Sequence, residues 1–557
     1  MNKKQILKFF KTALGGKVLF SSVFLFLFLL ELNYVGFSLR EKITIQSSLD
    51  FSWFSDLIER FLHGYVLGKD ATFTLGPLFQ FYYSIPSALF HIPSYISVAL
   101  SPILSFVVVF PLVLIISKYL SKNILTQITY ILFFFLFLGL IVSDGASAIK
   151  MLFPIVFVFF LYHNVFEEKK IPKIILLSFI PTLGGLYIYS LFVTCLMVEA
   201  LMVGLYLFIN RKELRHQLIV ISIIPITLVY QLAVSLFLTH SLEYTLASFD
   251  SVSNYRYVLD LVWAYDRNNV LLVFPVISIF FLFYLFKSKI LERNTKIYLI
   301  LLILTSMIEL SYALSRSDAG HFLGAVYPSI IAVFSVIFFF SKKNAGFVIL
   351  GLLLFVLIPF KPNFHNTLAL KNIFKIVKVI KTTPDFFSVY KLPDDYYFSE
   401  KEILEITKII KSNKNKVYVY PYDSYILNMQ NSTFNSYALG LYTYTNSFVE
   451  KRTVENFEGN PPTVIIFGID TKGALNLDDI PNLGRNPMVA KWIFGNYKVI
   501  QKKPKYLVLS YDKNKQKIPN SNCKILTLSI NLTAKESLTQ KLVNVIKPPV
   551  YYLEDVR

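Results

Sequence analysis

The sequence predicts a polytopic α-helical membrane protein with a small C-terminal α/β domain, and three observations predict it. The 557 residues are 55% hydrophobic and 16% aromatic, with a mean hydropathy of +0.55, far from the composition of a soluble globular chain. Apolar runs close to the ~20 residues that a bilayer-spanning helix needs recur along the first two thirds of the chain. Beyond residue 361 the runs shorten, turn residues appear and short strand-like segments alternate with helical ones, the pattern of an α/β layer.

The first element is basic, MNKKQILKFFKTALGGK, followed by an apolar stretch from Val18 to Phe37 with no small-residue cleavage site. That is the pattern of a retained signal-anchor rather than a cleaved leader. Spans are predicted at 18–38, 96–117, 124–143, 149–166, 173–190, 191–209, 217–239, 270–287, 296–314, 323–341 and 345–361, about eleven in all. The 173–209 region is too long for one helix. Its Thr182-Leu183-Gly184-Gly185 suits a tight hairpin turn, with a split a few residues later as the alternative.

Alternate loops, KYLSKN, EEKKIPK, NRKELRH, KSKILERNTK and SKKN, are rich in Lys and Arg. Cytoplasmic loops carry such an excess, which places the N-terminus in the cytoplasm. The loop holding Asp50, then Asp144, the 240–269 loop and Arg316–His321 share the opposite face, and with an odd number of spans the chain beyond Lys361 joins them. The expected organisation is a membrane domain over 1–361 with a first outer loop at 39–95, a tether at 362–398 and an extracytoplasmic α/β domain at 399–557. The formal charge of +20 fits loops facing anionic lipid and, without basic runs interleaved with aromatics, excludes nucleic acid as the partner. The two cysteines, Cys195 in a span and Cys523 in the polar tail, form neither a CxxC nor a metal-ligand spacing.

In the C-terminal part, SEKEILEITKIIKSNK predicts a helix capped by Ser399 with Ile403, Leu404, Ile406, Ile409 and Ile410 on its apolar face. KVYVYP, PTVIIFG, KYLVLSY and KILTLSI predict short buried strands, and PMVAKWIFGNY a further helix. Residues 367–382 predict an amphipathic piece whose lysines lie at lipid headgroups. No G-x-G-x-x-G, Walker or zinc spacing is present, and Asp394-Asp395 and Asp478-Asp479 lack the intervening residue of a nucleotide-sugar DxD motif.

The stretch Ser48–Gln80 stands out. It places Asp50, Asp56, Glu59, Arg60, His63, Lys69 and Asp70 between two apolar segments. FSWFSDLIERFLHG has Phe51, Phe54, Leu57, Ile58, Phe61 and Leu62 on one broad face, the pattern of a helix lying along the membrane interface and holding Asp50 at the lipid–water boundary. Gly64, Gly68, Gly76 and Pro77 punctuate the rest into turns. A connector of this length is more typical of a functional loop.

These residues carry a resemblance. The pattern D-x-S-W, then H-G, then G-x-D, then F-T-x-G-P-L is met by Asp50, Ser52, Trp53, His63, Gly64, Gly68, Asp70, Phe73, Thr74, Gly76, Pro77 and Leu78. It resembles a group of uncharacterised bacterial membrane proteins of the GT-C superfamily, glycosyltransferases that use polyprenyl-phosphate sugars. SRSDAGH is similar to the same group's R-x-D-x-x-H, and KVYVYPYDSYILNMQ, SYALGLYTYT and LGRNP resemble its C-terminal domain. The resemblance implies that Asp50 acts as general base on an acceptor hydroxyl or as ligand to a divalent metal, Mg or Mn. Trp53, His63 and Asp70 then belong to the substrate-binding loop. Arg316 suits bidentate binding of the donor phosphate, with Asp318 and His321 hydrogen-bonding sugar or assisting proton transfer. Asp144 is a further outer-face carboxylate of the kind such enzymes use.

The partners implied are a polyprenyl-phosphate-linked sugar, a glycan, lipid or protein acceptor, and membrane lipids, in a bacterial plasma membrane. Intramembrane Glu199 and Glu309 are costly and face a cavity or a partner, Glu309 within reach of a role supporting Arg316. The aromatics and arginines of the 240–269 loop suit sugar stacking or a headgroup belt. The competing readings are a transporter or flippase of lipid-linked saccharides, which predicts many charges within spans and an internal repeat, and a polymerase or ligase of such saccharides.

Overall fold

The computed structural model describes residues 13–45, 48–120, 124–132, 134–135, 145–168, 171–210, 214–239, 242–247, 273–287, 293–313, 328–332, 370–392, 398–413, 416–420, 424–430, 432–434, 436–439, 448–468, 486–512, 525–527 and 551–553. They form two compact units. The first comprises Met1–Glu41, Ala99–Gln231 and Ala264–Thr382; the second Lys42–Val98, Leu232–Trp263 and Thr383–Arg557.

Five helices of the described residues are long and apolar enough to cross a membrane: Gly15–Glu41, Ser94–Tyr119, Ala148–Glu168, Tyr189–Ile209 and Leu214–Thr239. Each matches an expected span. Ile171–Tyr187 is a shorter apolar segment, and Val273–Lys287 and Arg293–Ala313 are helical where two more spans were expected. The spans at 323–341 and 345–361 lie largely or wholly outside the described residues.

Within the first unit, aromatic rings knit the helices. Phe24 packs on Phe106 and Phe110 with centroids 5.6 and 4.9 Å away, and Phe106 continues the cluster to Phe135 at 5.2 Å. Offset and edge-on ring pairs of this kind add specificity to packing that lipid does not drive.

The 173–209 region does split in two, at the later of the expected positions. Thr182–Gly185 lie inside the helix Ile180–Tyr187, and the chain breaks at Ile188, whose backbone is extended (φ −140°, ψ 122°). The two glycines let helices touch instead. A Cβ on Gly184 would lie 2.9 Å from Phe153 Cε1, and one on Gly185 3.0 Å from Phe192 Cβ. Small residues serve this purpose in membrane helix pairs.

The expected tether contains a helix, Leu370–Thr382, which packs on the first span. Asn372, Ile376 and Val379 are its buried residues. The crossing is so close that a Cβ on Gly36 would fall 1.9 Å from the Asn372 carbonyl oxygen, so only glycine fits.

The second unit begins with a two-residue strand β1 (Ile43–Thr44), pairing in parallel with β2 (Tyr390–Lys391). A four-stranded sheet follows from β3 (Val417–Tyr420), β4 (Val464–Gly468), β5 (Tyr497–Lys502) and β6 (Tyr506–Tyr511), in the order β3-β4-β6-β5. β3 and β4 are parallel; β6 is antiparallel to both neighbours. Every residue of β3 and β4 is buried, which explains their unbroken apolar and aromatic reading. Parallel pairing requires a crossover connection, and the connection from β3 to β4 carries the helix Phe448–Gly459. The Ser399 cap is present as a full capping box with Glu402, opening the helix Glu400–Ser412. The helix Pro487–Asn496 has no side-chain cap from Asn486. Its first amides donate to the buried Glu450 carboxylate, from Met488 N at 2.8 Å and Val489 N at 3.3 Å, a negative charge where a helix start favours one. A final pair, β7 (Ile525–Thr527) with β8 (Tyr551–Leu553), is antiparallel.

Candidate functional site

The polar stretch forms the helix Ser48–Leu62, as its periodicity requires. Asp50 is its third residue, in the first turn. That turn exposes backbone amides and the positive end of the helix dipole, and so favours negative charge.

The helix buries more than its apolar face. On that face Phe51, Leu57 and Ile58 are buried, Phe54 and Phe61 half-buried and Leu62 43% exposed, while the polar face is closed off: Ser52, Ser55, Asp56, Glu59 and Arg60 are between 0 and 4% exposed. The reason is a set of partners from the C-terminal part of the same unit. Arg60 Nε donates to Asp56 Oδ2 at 2.9 Å, an i,i+4 pair. The remaining guanidinium nitrogens donate to the Ser436 carbonyl (2.7 Å), the Phe434 carbonyl (3.0 Å) and Ser436 Oγ (3.1 Å). Asp56 Oδ1 accepts from the Thr433 hydroxyl at 2.6 Å. The Asn428 amide and the Ser55 hydroxyl meet at 3.0 Å. A planar fork with five donors satisfies two carbonyls and a carboxylate at once, which lysine cannot do.

The start of the helix is fixed by rings. Phe51, adjacent to Asp50, packs edge-on against Tyr390, Tyr425 and Phe386, with centroids 4.7, 5.7 and 5.8 Å away. The Tyr390 hydroxyl donates to the Tyr95 carbonyl and the Tyr95 hydroxyl to the Pro384 carbonyl, at 2.8 and 2.9 Å.

The remaining motif residues build the loop around this helix. Gly64 and Gly68 adopt φ +83° and +86°, where a side chain is strained. Asp70 Oδ2 accepts from Val66 N at 2.9 Å and so closes its own turn. Phe73 packs on Trp53 at 4.9 Å. Thr72 N donates to the Tyr437 carbonyl at 2.7 Å, and Leu439 N to the Thr72 carbonyl at 3.1 Å. Gly76 and Pro77 open the helix Pro77–Phe90. One turn in, Gln80 bridges three backbone groups, of Leu67, Leu57 and Tyr65, at 2.9 to 3.1 Å.

Of the expected site residues, the structure brings Trp53 into a recess with Asp56, Arg60, Tyr418 and Phe434. It holds about 20 Å³, room for about one water. His63 lies exposed at the helix C-terminus, Nδ1 2.8 Å from the Glu59 carbonyl. Asp144, Arg316, Asp318, His321 and the Asp50 side chain lie outside what the structure describes. Among the described residues no three His, Cys, Asp or Glu side chains gather as a metal site; Asp56 and Asp70 are held by Arg60 and by the Val66 amide. Sequence reasoning missed the buried roles of Asp56, Glu59, Arg60 and Gln80. The i,i+4 spacing of Asp56 and Arg60 was their one signal. Burial pushes the Glu59 carboxyl up from its usual range, against the hydrogen bond from Ser94 and the nearby His63.

In the first unit, Glu309 Oε1 accepts from the Thr194 hydroxyl at 2.6 Å and Glu199 Oε1 from the Thr227 hydroxyl at 3.0 Å. Each of these two intramembrane carboxylates has a hydroxyl partner on one oxygen, which offsets part of its cost.

No protein-family model and no curated protein matches the chain. Solved structures do. The chain is similar to the apo oligosaccharyltransferase of Archaeoglobus fulgidus, at 11% identity and TM-score 0.46, covering 89% of this chain and 75% of that one. It is similar to the same organism's oligosaccharyltransferase AglB with an inhibitory peptide and a dolichol-phosphate, at 11% identity and TM-score 0.47 over 90% and 75%. ArnT from Cupriavidus metallidurans, bound to undecaprenyl phosphate, matches at 12% identity and TM-score 0.45 over 91% and 100%.

Proposed function

We propose that this protein is an inverting membrane glycosyltransferase that moves a sugar from a polyprenyl-phosphate donor to an extracytoplasmic acceptor. The observation that carries the reading is the position of Asp50. It lies in the first turn of a helix that directly follows an apolar span-length helix and that is locked by Phe51, Ser55, Asp56 and Arg60. A general base must be held to a fraction of an ångström, and a helix whose polar face is buried and hydrogen-bonded supports that. The motif in which Asp50 stands supports the chemistry. The spans support a donor delivered by lipid, which needs no nucleotide-binding fold.

In the reaction, Asp50 accepts the proton of the acceptor hydroxyl. That oxygen attacks the anomeric carbon from the face opposite the phosphate, and the sugar–phosphate bond breaks with its electron pair leaving on the lipid phosphate. Arg316 balances that charge. A divalent metal belongs to the same proposal: Asp50 would hold it, and it would supply charge to position the acceptor hydroxyl. The N-terminus lies in the cytoplasm and residues beyond 361 outside, in a bacterial plasma membrane.

The test is release of labelled sugar from a panel of prenyl-phosphate-sugar donors by the purified wild type and Asp50→Asn, both checked for membrane insertion. The proposal expects turnover that falls by at least about a hundredfold in the variant, the usual weight of a general base. Equal turnover removes Asp50 from the mechanism. Absence of turnover with every donor, alongside binding of a lipid-diphosphate oligosaccharide, replaces the transferase by a flippase or polymerase.

A further inference from the structure

The helix Leu370–Thr382, LKNIFKIVKVIKT, carries two different faces of consequence. One is spent on the first span: Asn372, Ile376 and Val379 are buried, and the Asn372 backbone lies against Gly36. The other is not. Leu370, Phe374 and Val377 are 74, 67 and 44% exposed and follow i, i+4, i+7 spacing, so they form one stripe. One residue on, Lys371, Lys375 and Lys378 form a parallel row; Lys381, four residues after Val377, ends the apolar stripe itself, and the helix contains no carboxylate. None of the four lysines is buried.

Position decides what such a face meets. Gly36 lies five residues before Glu41, the last residue of the first span, so the crossing is at the end of that span, at headgroup depth. The span itself exposes Leu25, Phe26 and Leu29, the apolar surface that faces acyl chains. An apolar stripe beside a row of cations, with no anion of its own, complements a layer that is greasy below and negative above. An acidic protein partner would satisfy the lysines but not the depth.

We propose that the Leu370–Thr382 helix is an interfacial binding element for anionic phospholipid. Leu370, Phe374 and Val377 enter the acyl boundary, and Lys371, Lys375, Lys378 and Lys381 engage the headgroup phosphates of the leaflet at the end of the first span. This inference is independent of the glycosyl-transfer reading.

The experiment uses the full chain in nanodiscs with Phe374→Trp, its emission compared with that of the parent to subtract the three native tryptophans. Phospholipids brominated high on the acyl chain are the quenchers, as phosphatidylcholine or as phosphatidylglycerol diluted into phosphatidylcholine. The expected result is quenching of the added tryptophan by both. Brominated phosphatidylglycerol quenches far beyond its share of the bilayer, with roughly fivefold enrichment per engaged lysine. K371Q/K375Q/K378Q/K381Q on the same background abolishes the phosphatidylglycerol preference and keeps the phosphatidylcholine quenching. A residue 374 tryptophan that no lipid quenches overturns the proposal and gives the face to a protein partner or a second copy. Quenching in proportion to bulk composition, unchanged by the four substitutions, overturns the anionic-lipid assignment.

Discussion

Arg60→Met tests whether the helix carrying Asp50 is held by its guanidinium. The wild-type side chain is 2% exposed and Asp56 4%. The substitution keeps the length and the burial of the stem and removes every donor. Asp56 is left as a buried carboxylate with the Thr433 hydroxyl at 2.6 Å, and the carbonyls of Phe434 and Ser436 lose donors at 3.0 and 2.7 Å. Breaking one side of a buried ion pair costs roughly 3–5 kcal/mol. A unit of this size loses about 2–4 °C of Tm per kcal/mol, so a fall of about 10 °C is expected. All three tryptophans, Trp53, Trp263 and Trp492, belong to the second unit, so their emission on heating in detergent reports its unfolding. The double variant Arg60→Met/Asp56→Leu should recover much of the loss, because removing both charges avoids the unpaired carboxylate. A Tm for Arg60→Met within about 2 °C of wild type would refute the clamp.

Three further outcomes follow from the same contacts. Glu59 is buried with its pKa raised. Its folded form binds the proton more tightly than the unfolded chain, so its contribution is fully present below the ordinary value of 4.5 and is lost as pH rises through the folded value. Glu59→Gln should therefore raise the Tm of the second unit at pH 7 and flatten its decline above that ordinary value; an unchanged pH profile would contradict this. Gly68→Ala places a side chain at φ +86° with its Cβ 2.6 Å from Tyr244 Cδ2, and a loss of about 1–3 kcal/mol is expected, read as a lowered Tm. Gly36→Ala drives a methyl into the Asn372 carbonyl and should separate the Leu370–Thr382 helix from the first span, read as increased proteolysis of residues 370–382 in the intact protein.

What was legible in the sequence was local or periodic. Apolar runs set the spans, since no other structure satisfies the backbone in lipid. Ser399 announced itself as a cap because it immediately precedes the apolar periodicity; that Glu402 completes a capping box came from the structure. The strands at 417–420 and 464–468 showed as short apolar runs because they are buried on both faces, and 506–511 showed through its buried Tyr506, Val508 and Leu509. Glycine misled at 184–185, where the same absence of a side chain that suits a turn also suits a close helix contact. The strand Tyr497–Lys502 was not foreseen, its exposed Lys498, Gln501 and Lys502 reading as loop.

The sequence by itself determined that the chain carries span-length apolar helices, where the principal ones run, and that an aspartate stands at the start of a polar amphipathic helix after the first of them. Hydrophobicity, capping and turn chemistry act over a few residues, and a few residues suffice to read them. Only the tertiary structure decided what the polar residues of that helix do. Asp56, Glu59 and Arg60 read equally well as a solvated face, because an i,i+4 ion pair has the same spacing in water and in a core. The partners of Arg60, the carbonyls of Phe434 and Ser436, are 374 and 376 residues away. They are backbone atoms, and a backbone carbonyl leaves no trace in the identity of the residue that carries it.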